Sequence, residues 1–239
     1  MRSILSGVSA AILAVAVAVG ALAQAVTGIG FALVCGPFLV AALGPRYGVP
    51  VVIVLSLPLN AAMLLRELRS VRWRSALLLL LPALAVLPLA AYAVHRLSGP
   101  VGTVLAGVAT LLAALGLAAG FRLRRGAGRR GALVAGAASG TMNVFAGIGG
   151  PAAALYAANA DWPPATARAT LQAYFLALNV ATLAILGPRS VSPLLVAAMF
   201  VGFAVGTLLA RRLPDPAARW ATLGLAAVSG VVAIVRGLG

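Results

Sequence analysis

Long apolar runs follow one another along the whole chain, separated by short stretches rich in glycine, proline or arginine. The runs lack the polar residues at helical spacing that mark an amphipathic surface helix. Many are close to 20 residues long, which is enough to cross a hydrocarbon core of about 30 Å. The pattern therefore predicts an all-α polytopic membrane protein. The predicted segments are 4–26, 31–43, 48–65, 75–94, 100–120, 131–146, 150–160, 165–186, 191–210 and 217–236.

Two of these runs, 31–43 and 150–160, are too short to span a bilayer. Each follows a glycine cluster, Thr27-Gly-Ile-Gly30 in one case and Gly147-Ile-Gly-Gly-Pro151 in the other. A continuous helix over 10–43 would be about 50 Å long, too long for one straight crossing, and glycine weakens a helix interior. We therefore predict about eight transmembrane helices, with the first helix of each half broken at its Gly-rich segment.

The two halves of the chain are related in sequence. A shift of 119 positions superimposes the two Gly-Ile-Gly clusters, an amide residue ahead of each cluster and an asparagine downstream. Such an offset predicts an internal duplication, with a first four-helix repeat at 1–121 and a second at 122–239. The matched pairs are Gln24 with Asn143, Gly28 with Gly147, Gly30 with Gly149, Pro45 with Pro164, and Asn60 with Asn179.

Composition agrees with the membrane class and excludes nucleic-acid binding. Hydrophobic residues make up 63% of the 239 residues and charged residues only 9%, against roughly 25% in soluble domains. The net charge of +15 comes from 18 arginines, most of them in short connections. Arginine in short loops marks the cytoplasmic side of a membrane protein, and here it forms no basic face for a phosphate backbone. We therefore predict a multi-pass protein of the inner (plasma) membrane, with the lipid bilayer as its surroundings.

The N-terminal apolar run has two interpretations. The stretch from Arg2 to Ala25 is similar to a cleavable signal peptide, but the repeat requires it as a first helix, so we predict that it is retained.

If each broken segment crosses the membrane once, the halves are parallel and 12 arginines lie inside against 6 outside. If each crosses twice, the halves are inverted and the split is 13 to 5. Both arrangements occur in transporters, and the arginine counts leave the choice open.

The paired breaks are the candidate binding site. A helix broken inside hydrocarbon survives only where protein or a wet cavity satisfies its backbone groups, and paired breaks mark transporter sites. The acidic residues Glu67, Asp161 and Asp215 all lie at loops or helix ends, so a cation lacks a carboxylate at the midplane. Free N–H groups at helix starts near Phe31 and Pro151 favour an anion. The predicted substrate-binding residues are Gln24, Thr27, Gly28, Gly30, Asn60, Asn143, Gly147, Gly149, Gly150 and Asn179.

The chain resembles the sulfite exporter TauE/SafE family of membrane permeases. The resemblance rests on Gly28-Ile-Gly30 with Gly36-Pro37, on Gly147-Ile-Gly-Gly150 with Pro151, and on the Val71-Arg-Trp73 stretch. It covers essentially the whole chain and implies a duplicated unit of about four helices. It also implies transport of sulfite, sulfonates or related organic anions, often as export.

The predicted function is therefore secondary transport of a small anion, with two alternatives. An intramembrane enzyme would need a nucleophile such as Ser139, but the single histidine, His95, lies in the other half. A membrane scaffold would need no polar cluster at the midplane. We expect no cofactor, no metal site and no catalytic residue, since there is one cysteine and no nucleotide-binding motif. The sequence leaves the oligomeric state open, because hydropathy does not mark the interfaces between membrane helices.

Overall fold

The computed structural model describes residues 7–97, 99–120, 128–210, 212 and 215–239. Across these residues the chain forms ten α-helices and one 3-10 turn at Leu68–Ser70, and no strand. Arg2, Arg122, Arg124, Arg125, Arg211 and the predicted 121/122 boundary lie outside the described residues. The helices are α1 (Gly7–Thr27), α2 (Phe31–Leu43), α3 (Pro45–Glu67), α4 (Trp73–Arg96), α5 (Gly99–Ala118), α6 (Arg129–Ala146), α7 (Gly150–Asn159), α8 (Pro164–Leu186), α9 (Pro193–Leu209) and α10 (Asp215–Leu238).

The prediction of an all-helical polytopic membrane protein is confirmed. In the described part of the chain, six helical stretches are long and apolar enough to cross a membrane, and α2 and α9 are shorter apolar helices. The six stretches are 10–27, 45–70, 73–96, 99–118, 164–186 and 219–238. The predicted total of eight spans would add α6 and α9, of 18 and 17 residues, and stays a prediction.

Helices α3 and α8 pack against each other at the centre and run in opposite directions. Glu67, at the end of α3, pairs with Arg168, in the second turn of α8. The middle of each helix meets at Ser56 and Asn179, whose side chains are hydrogen bonded at 3.1 Å. More than half of each helix is buried, a larger share than in any other predicted span. This antiparallel pair fixes the directions of the elements around it.

Small residues allow the outer helices to approach closely. Helix α1 lies along α9, where a Cβ atom on Gly202 would collide with the Ala18 carbonyl oxygen. Helix α6 lies along α4, where a Cβ atom on Gly136 would collide with the Leu79 carbonyl oxygen. Helices α5 and α10 meet at Gly107, where the nearest atom would be the Gly230 carbonyl oxygen. Backbone contact of this kind is how membrane helices associate without a hydrophobic driving force.

One end of the bundle, here called the arginine-rich face, contains the end of α3, the start of α8 and residues 68–72 between α3 and α4. Contacts that join these parts include Arg72 N–H to Thr170 Oγ1 at 3.0 Å and Arg168 to Glu67 at 2.8 Å. Arginines described on or beside this face are Arg66, Arg69, Arg72, Arg74, Arg129, Arg130, Arg168, Arg212 and Arg219, whereas Arg46, Arg96, Arg189 and Arg236 lie at the opposite end.

Both Gly-rich segments form helical hairpins, and these enter from opposite ends of the bundle. Helix α1 runs towards the arginine-rich face and ends at Thr27, after which α2 returns to Gly44 at the opposite end. Helix α6 starts at the arginine-rich face and ends at Ala146, after which α7 returns to that face. The arginine counts left open whether each broken segment crosses the membrane once or doubles back. In the structure each doubles back, because α1 and α2 run in opposite directions, as do α6 and α7.

Replacement of Gly202 by alanine tests the close packing of α1 on α9. We expect Gly202→Ala to lower the free energy of unfolding by about 1–3 kcal/mol, because the new methyl group meets the Ala18 backbone rather than a movable side chain. Gly224→Ala in α10 is the matched control, because no atom lies within 4 Å of its added Cβ. Thermal unfolding in detergent is the measurement. Equal midpoints for the two variants would contradict the packing.

Candidate functional site

Both breaks use a left-handed glycine to end a helix. Gly28 has φ +86° and Gly147 has φ +71°, a region that side-chain-bearing residues rarely adopt. The Gly28 N–H donates to the Gln24 carbonyl at 2.8 Å, and the Gly147 N–H donates to the Asn143 carbonyl at 2.9 Å. Helices commonly end at a residue in this conformation, and here three residues, 28–30 and 147–149, separate each helix from the one that follows it. The two predicted glycine clusters therefore end α1 and α6 by the same backbone geometry.

The first break is held by the side chain of Gln24. Its Nε2 donates to Asn60 Oδ1 at 3.4 Å, and its Oε1 accepts from the Phe31 N–H at 3.2 Å. Gln24 and Asn60 are 4% and 2% exposed. The prediction of free N–H groups at the start of α2 is therefore wrong for the Phe31 N–H, because Gln24 accepts its hydrogen bond. The first N–H groups of any helix have no acceptor within that helix. In α2 the two that follow Phe31 are those of Ala32 and Leu33.

A corresponding pair of amides lies at the second break. Asn143 Nδ2 donates to Asn179 Oδ1 at 3.1 Å and to Thr182 Oγ1 at 3.0 Å. Asn179 Nδ2 in turn donates to Ser56 Oγ, which links the two central helices. The separation along the chain is 36 residues both for Gln24 with Asn60 and for Asn143 with Asn179. Four of the predicted polar residues thus form two amide pairs, one beside each break.

Gln172 connects the first break to α8 and was missed by the sequence reasoning. Its Nε2 donates to the Gly28 carbonyl at 2.6 Å, and its Oε1 accepts from Gln24 Nε2 at 3.5 Å. The residue is 1% exposed. The apolar run 165–186 contains two amides, Gln172 and Asn179, but only Asn179 has an equivalent at the 119-residue offset, which is Asn60.

The second break is held by hydroxyl groups. Ser139 Oγ donates to the Gly149 carbonyl at 2.5 Å and accepts from the Tyr174 hydroxyl at 2.7 Å. Ser139 is fully buried, and Tyr174 is 1% exposed. The serine considered as a nucleophile therefore has its hydroxyl occupied by the backbone of the break. His95 Nδ1 contacts the Ala91 carbonyl at 2.7 Å, within its own helix.

A small space, here called the central void, lies between the two breaks. Its volume is about 40 Å³, enough for a few ordered waters. Seven predicted residues line it, together with Ser56, Phe175 and parts of both breaks. These seven are Gln24, Asn60, Asn143, Gly147, Gly149, Gly150 and Asn179.

A larger cavity, here called the vestibule, lies beside the first break on the side of the arginine-rich face. It measures about 510 Å³, and its walls include Thr27, Gly28, Trp162, Arg168 and Arg219. Ile29 and Leu33 line both spaces and so stand between them. Gly30 lines neither space, because it lies against Ala23, where an added Cβ would come within 2.6 Å.

The lining offers hydrogen-bond donors without negative charge. No acidic side chain lines the central void or the vestibule among the described residues. Within that same part of the chain, no group of histidine, cysteine or acidic residues could hold a metal ion. Every fully buried side-chain nitrogen and oxygen that the structure describes has a hydrogen-bond partner. Amides and hydroxyls can exchange these partners for a ligand, and their donors suit an oxyanion.

The sequence model described as sulfite exporter TauE/SafE matches residues 12–233. The chain belongs to the TauE/SafE family. It is therefore a membrane transporter and not an enzyme, in agreement with the resemblance noted from the glycine clusters. Searches of curated proteins and of solved structures find no match to the chain.

The family match includes both breaks and both amide pairs of this TauE/SafE protein. The central void lies between the two halves of the matched region, where α3 and α8 cross. The Ser139 hydroxyl donates its proton to the Gly149 carbonyl and accepts from the Tyr174 hydroxyl, so it serves the second break. Polar residues around the void thus hydrogen-bond to the backbone of the breaks, and they also form a polar lining inside the membrane.

Replacement of Gln172 by leucine tests its role at the first break. We expect Gln172→Leu to lower the free energy of unfolding by about 1–3 kcal/mol, because the Gly28 carbonyl loses its donor in a buried place. Thr110→Val is the matched control, because that buried hydroxyl bonds only to the Ala106 carbonyl of its own helix. Thermal unfolding of the two purified variants in detergent is the measurement. A Gln172→Leu midpoint no lower than that of Thr110→Val would contradict the role.

Proposed function

We propose that this TauE/SafE protein is a secondary transporter that moves a small anion, sulfite or a sulfonate or a related organic anion, through the central void. The observation that carries the proposal is the pair of amide clusters beside the two breaks, with neutral donors and no acidic side chain among the described residues that line the void. Amide and backbone N–H groups can hold an oxyanion without a metal or a cofactor.

The binding role of the ten predicted residues is part of this proposal. Gln24, Asn60, Asn143 and Asn179 supply side-chain amides, and the backbone of Gly147, Gly149 and Gly150 lines the same space, whereas Gly30 lies outside it. Thr27 and Gly28 lie at the vestibule side of the first break, on the way from the arginine-rich face. The void is closed to all but a few waters, so the hairpin α1–α2 or α6–α7 must shift when an anion binds.

We also propose that the chain is an inverted repeat with halves near 1–121 and 122–239. The 119-residue offset places Pro45–Glu67 on Pro164–Leu186, and these are the bounds of α3 and α8, which run antiparallel. The packing of α1 along α9 corresponds under the same offset to that of α6 along α4. Inverted repeats with broken helices at their interface support alternating access to one central site.

The proposed location is the cytoplasmic membrane, with the arginine-rich face in the cytoplasm by the positive-inside rule. The vestibule then opens towards the cytoplasm. Because no nucleotide-binding motif is found in the sequence, we propose that a substrate gradient or the membrane potential drives transport. The proposed partners are the anion and the bilayer.

Flux measurements test the transport proposal. Proteoliposomes should take up labelled sulfite or a sulfonate faster than empty liposomes do. We expect the double variant Asn60→Ala and Asn179→Ala to lose at least about tenfold of this flux, because hydrogen bonds to a charged ligand are worth about 1.5–3 kcal/mol each. Thr110→Val should retain the flux. Equal rates in proteoliposomes and empty liposomes across a panel of anions would contradict the proposal.

Cysteine labelling tests the inverted arrangement. In a Cys35→Ala background, we expect Ala165→Cys to be labelled from the same side of the membrane as Ser70→Cys, because α8 begins where α3 ends. Ser190→Cys should be labelled from the other side. Parallel halves would place Ser190 on the side of Ser70, so that result would overturn the arrangement.

A further inference from the structure

The vestibule has an apolar wall and a cationic rim. Most of its lining is aliphatic, as with Val26, Leu155, Leu171 and Leu223, and Trp162 adds an aromatic surface. Its charged lining residues, Arg168 and Arg219, are both cationic. A cavity of about 510 Å³ lies in the range of small-molecule sites, where apolar walls hold the body of a ligand and a few polar groups orient it.

Arg168 lies across the first break. Its Cγ and Cδ atoms would be 3.2 and 3.3 Å from a Cβ on Gly28, so the stem of the side chain covers that glycine. The guanidinium donates from Nε at 3.2 Å and from Nη2 at 2.8 Å, and both bonds go to one oxygen of Glu67, Oε1. The side chains of Arg168 and Glu67 are 42% and 27% exposed. A guanidinium binds two-oxygen anions best with one oxygen for each donor, so this converging pair leaves room for a better-matched anion.

A series of polar groups leads from Arg168 to the central void. Gln172 lies one turn further along α8, and it bonds to the Gly28 carbonyl and to Gln24. Gln24 lines the void. The residues 119 positions before Arg168 and Gln172 are Val49 and Ile53, so the other break has no such series at the equivalent positions. At these two positions, polar side chains are therefore present in α8, on the side of the arginine-rich face, and absent from α3.

We propose that the vestibule is a second anion site, which binds an organic anion with a sulfonate-like head and an apolar body before it reaches the central void. The head replaces Glu67 on the Arg168 guanidinium, and the body lies against Ile29, Leu171 and Trp162. The inference rests on the proposed transport function, and it narrows the substrate class to anions that carry a hydrocarbon portion. Arg168 determines specificity at this site.

Binding of a series of alkanesulfonates tests the site. Full-length protein in nanodiscs of phosphatidylcholine, which has no net charge, is titrated with methanesulfonate through hexanesulfonate by calorimetry. We expect affinity to rise by up to about fourfold for each methylene, because the body is buried against apolar walls. Arg168→Gln should weaken hexanesulfonate binding at least about tenfold, and Glu67→Gln should strengthen it several-fold because the competing carboxylate is removed.

Arg189→Gln is the matched control, because this exposed arginine lies at the other end of α8, over the Tyr47 ring. It should leave hexanesulfonate binding unchanged. Glu67→Gln also keeps the test valid if Arg168→Gln does not fold, because it retains the guanidinium and is expected to gain affinity.

Two results would overturn the vestibule site. One is equal hexanesulfonate affinity in wild type, Arg168→Gln and Glu67→Gln, and the other is affinity that does not depend on chain length. Flux measured in parallel separates this from the transport proposal. Sulfite flux with no hexanesulfonate binding contradicts the vestibule site alone, whereas hexanesulfonate binding without flux of any anion contradicts transport alone.

Discussion

A broken helix inside the hydrocarbon region must have its backbone groups satisfied by the protein, and the centre of this molecule is organised by that requirement. Each N–H or C=O left unpaired inside the hydrocarbon region would cost several kcal/mol. Gln24 accepts from the Phe31 N–H, Gln172 donates to the Gly28 carbonyl, and Ser139 donates to the Gly149 carbonyl. The polar residues at the centre are therefore needed for the fold. The same residues place donors around a void, so the structural requirement and the proposed binding site coincide.

The two breaks meet this requirement with different residues, which makes the two ends of the bundle unequal. An amide pair lies beside each break, but Gln172 serves only the first and Ser139 with Tyr174 only the second. The first break is also covered by Arg168 and adjoins the larger cavity. An anion that approaches from the arginine-rich face meets positive charge and then a continuous series of amides.

The sequence located the breaks and the amide pairs because their signals are local. Glycine clusters beside runs too short to span a membrane indicate interrupted helices, and an isolated amide in an apolar run stands out wherever it lies. Seven of the predicted residues line the central void for this reason. Gln172 and Ser139 gave comparable signals but had no equivalent at the 119-residue offset, and agreement between halves was the basis of selection. The offset itself is supported by helix bounds and stays a proposal.

Membrane class, helical content, segment positions and the family resemblance were determined by the sequence alone, because they depend on composition, run length and short motifs. The tertiary structure decided which groups meet. The antiparallel crossing of α3 and α8 brings Ser56 to Asn179 and Glu67 to Arg168, residues more than 100 positions apart. The same crossing sets the directions of both hairpins, which arginine counts of 12 to 6 or 13 to 5 left open. The turn at the first break gave the Phe31 N–H an acceptor, the Gln24 side chain seven residues earlier, which the sequence did not suggest because the backbone path of the turn decides which group that side chain reaches.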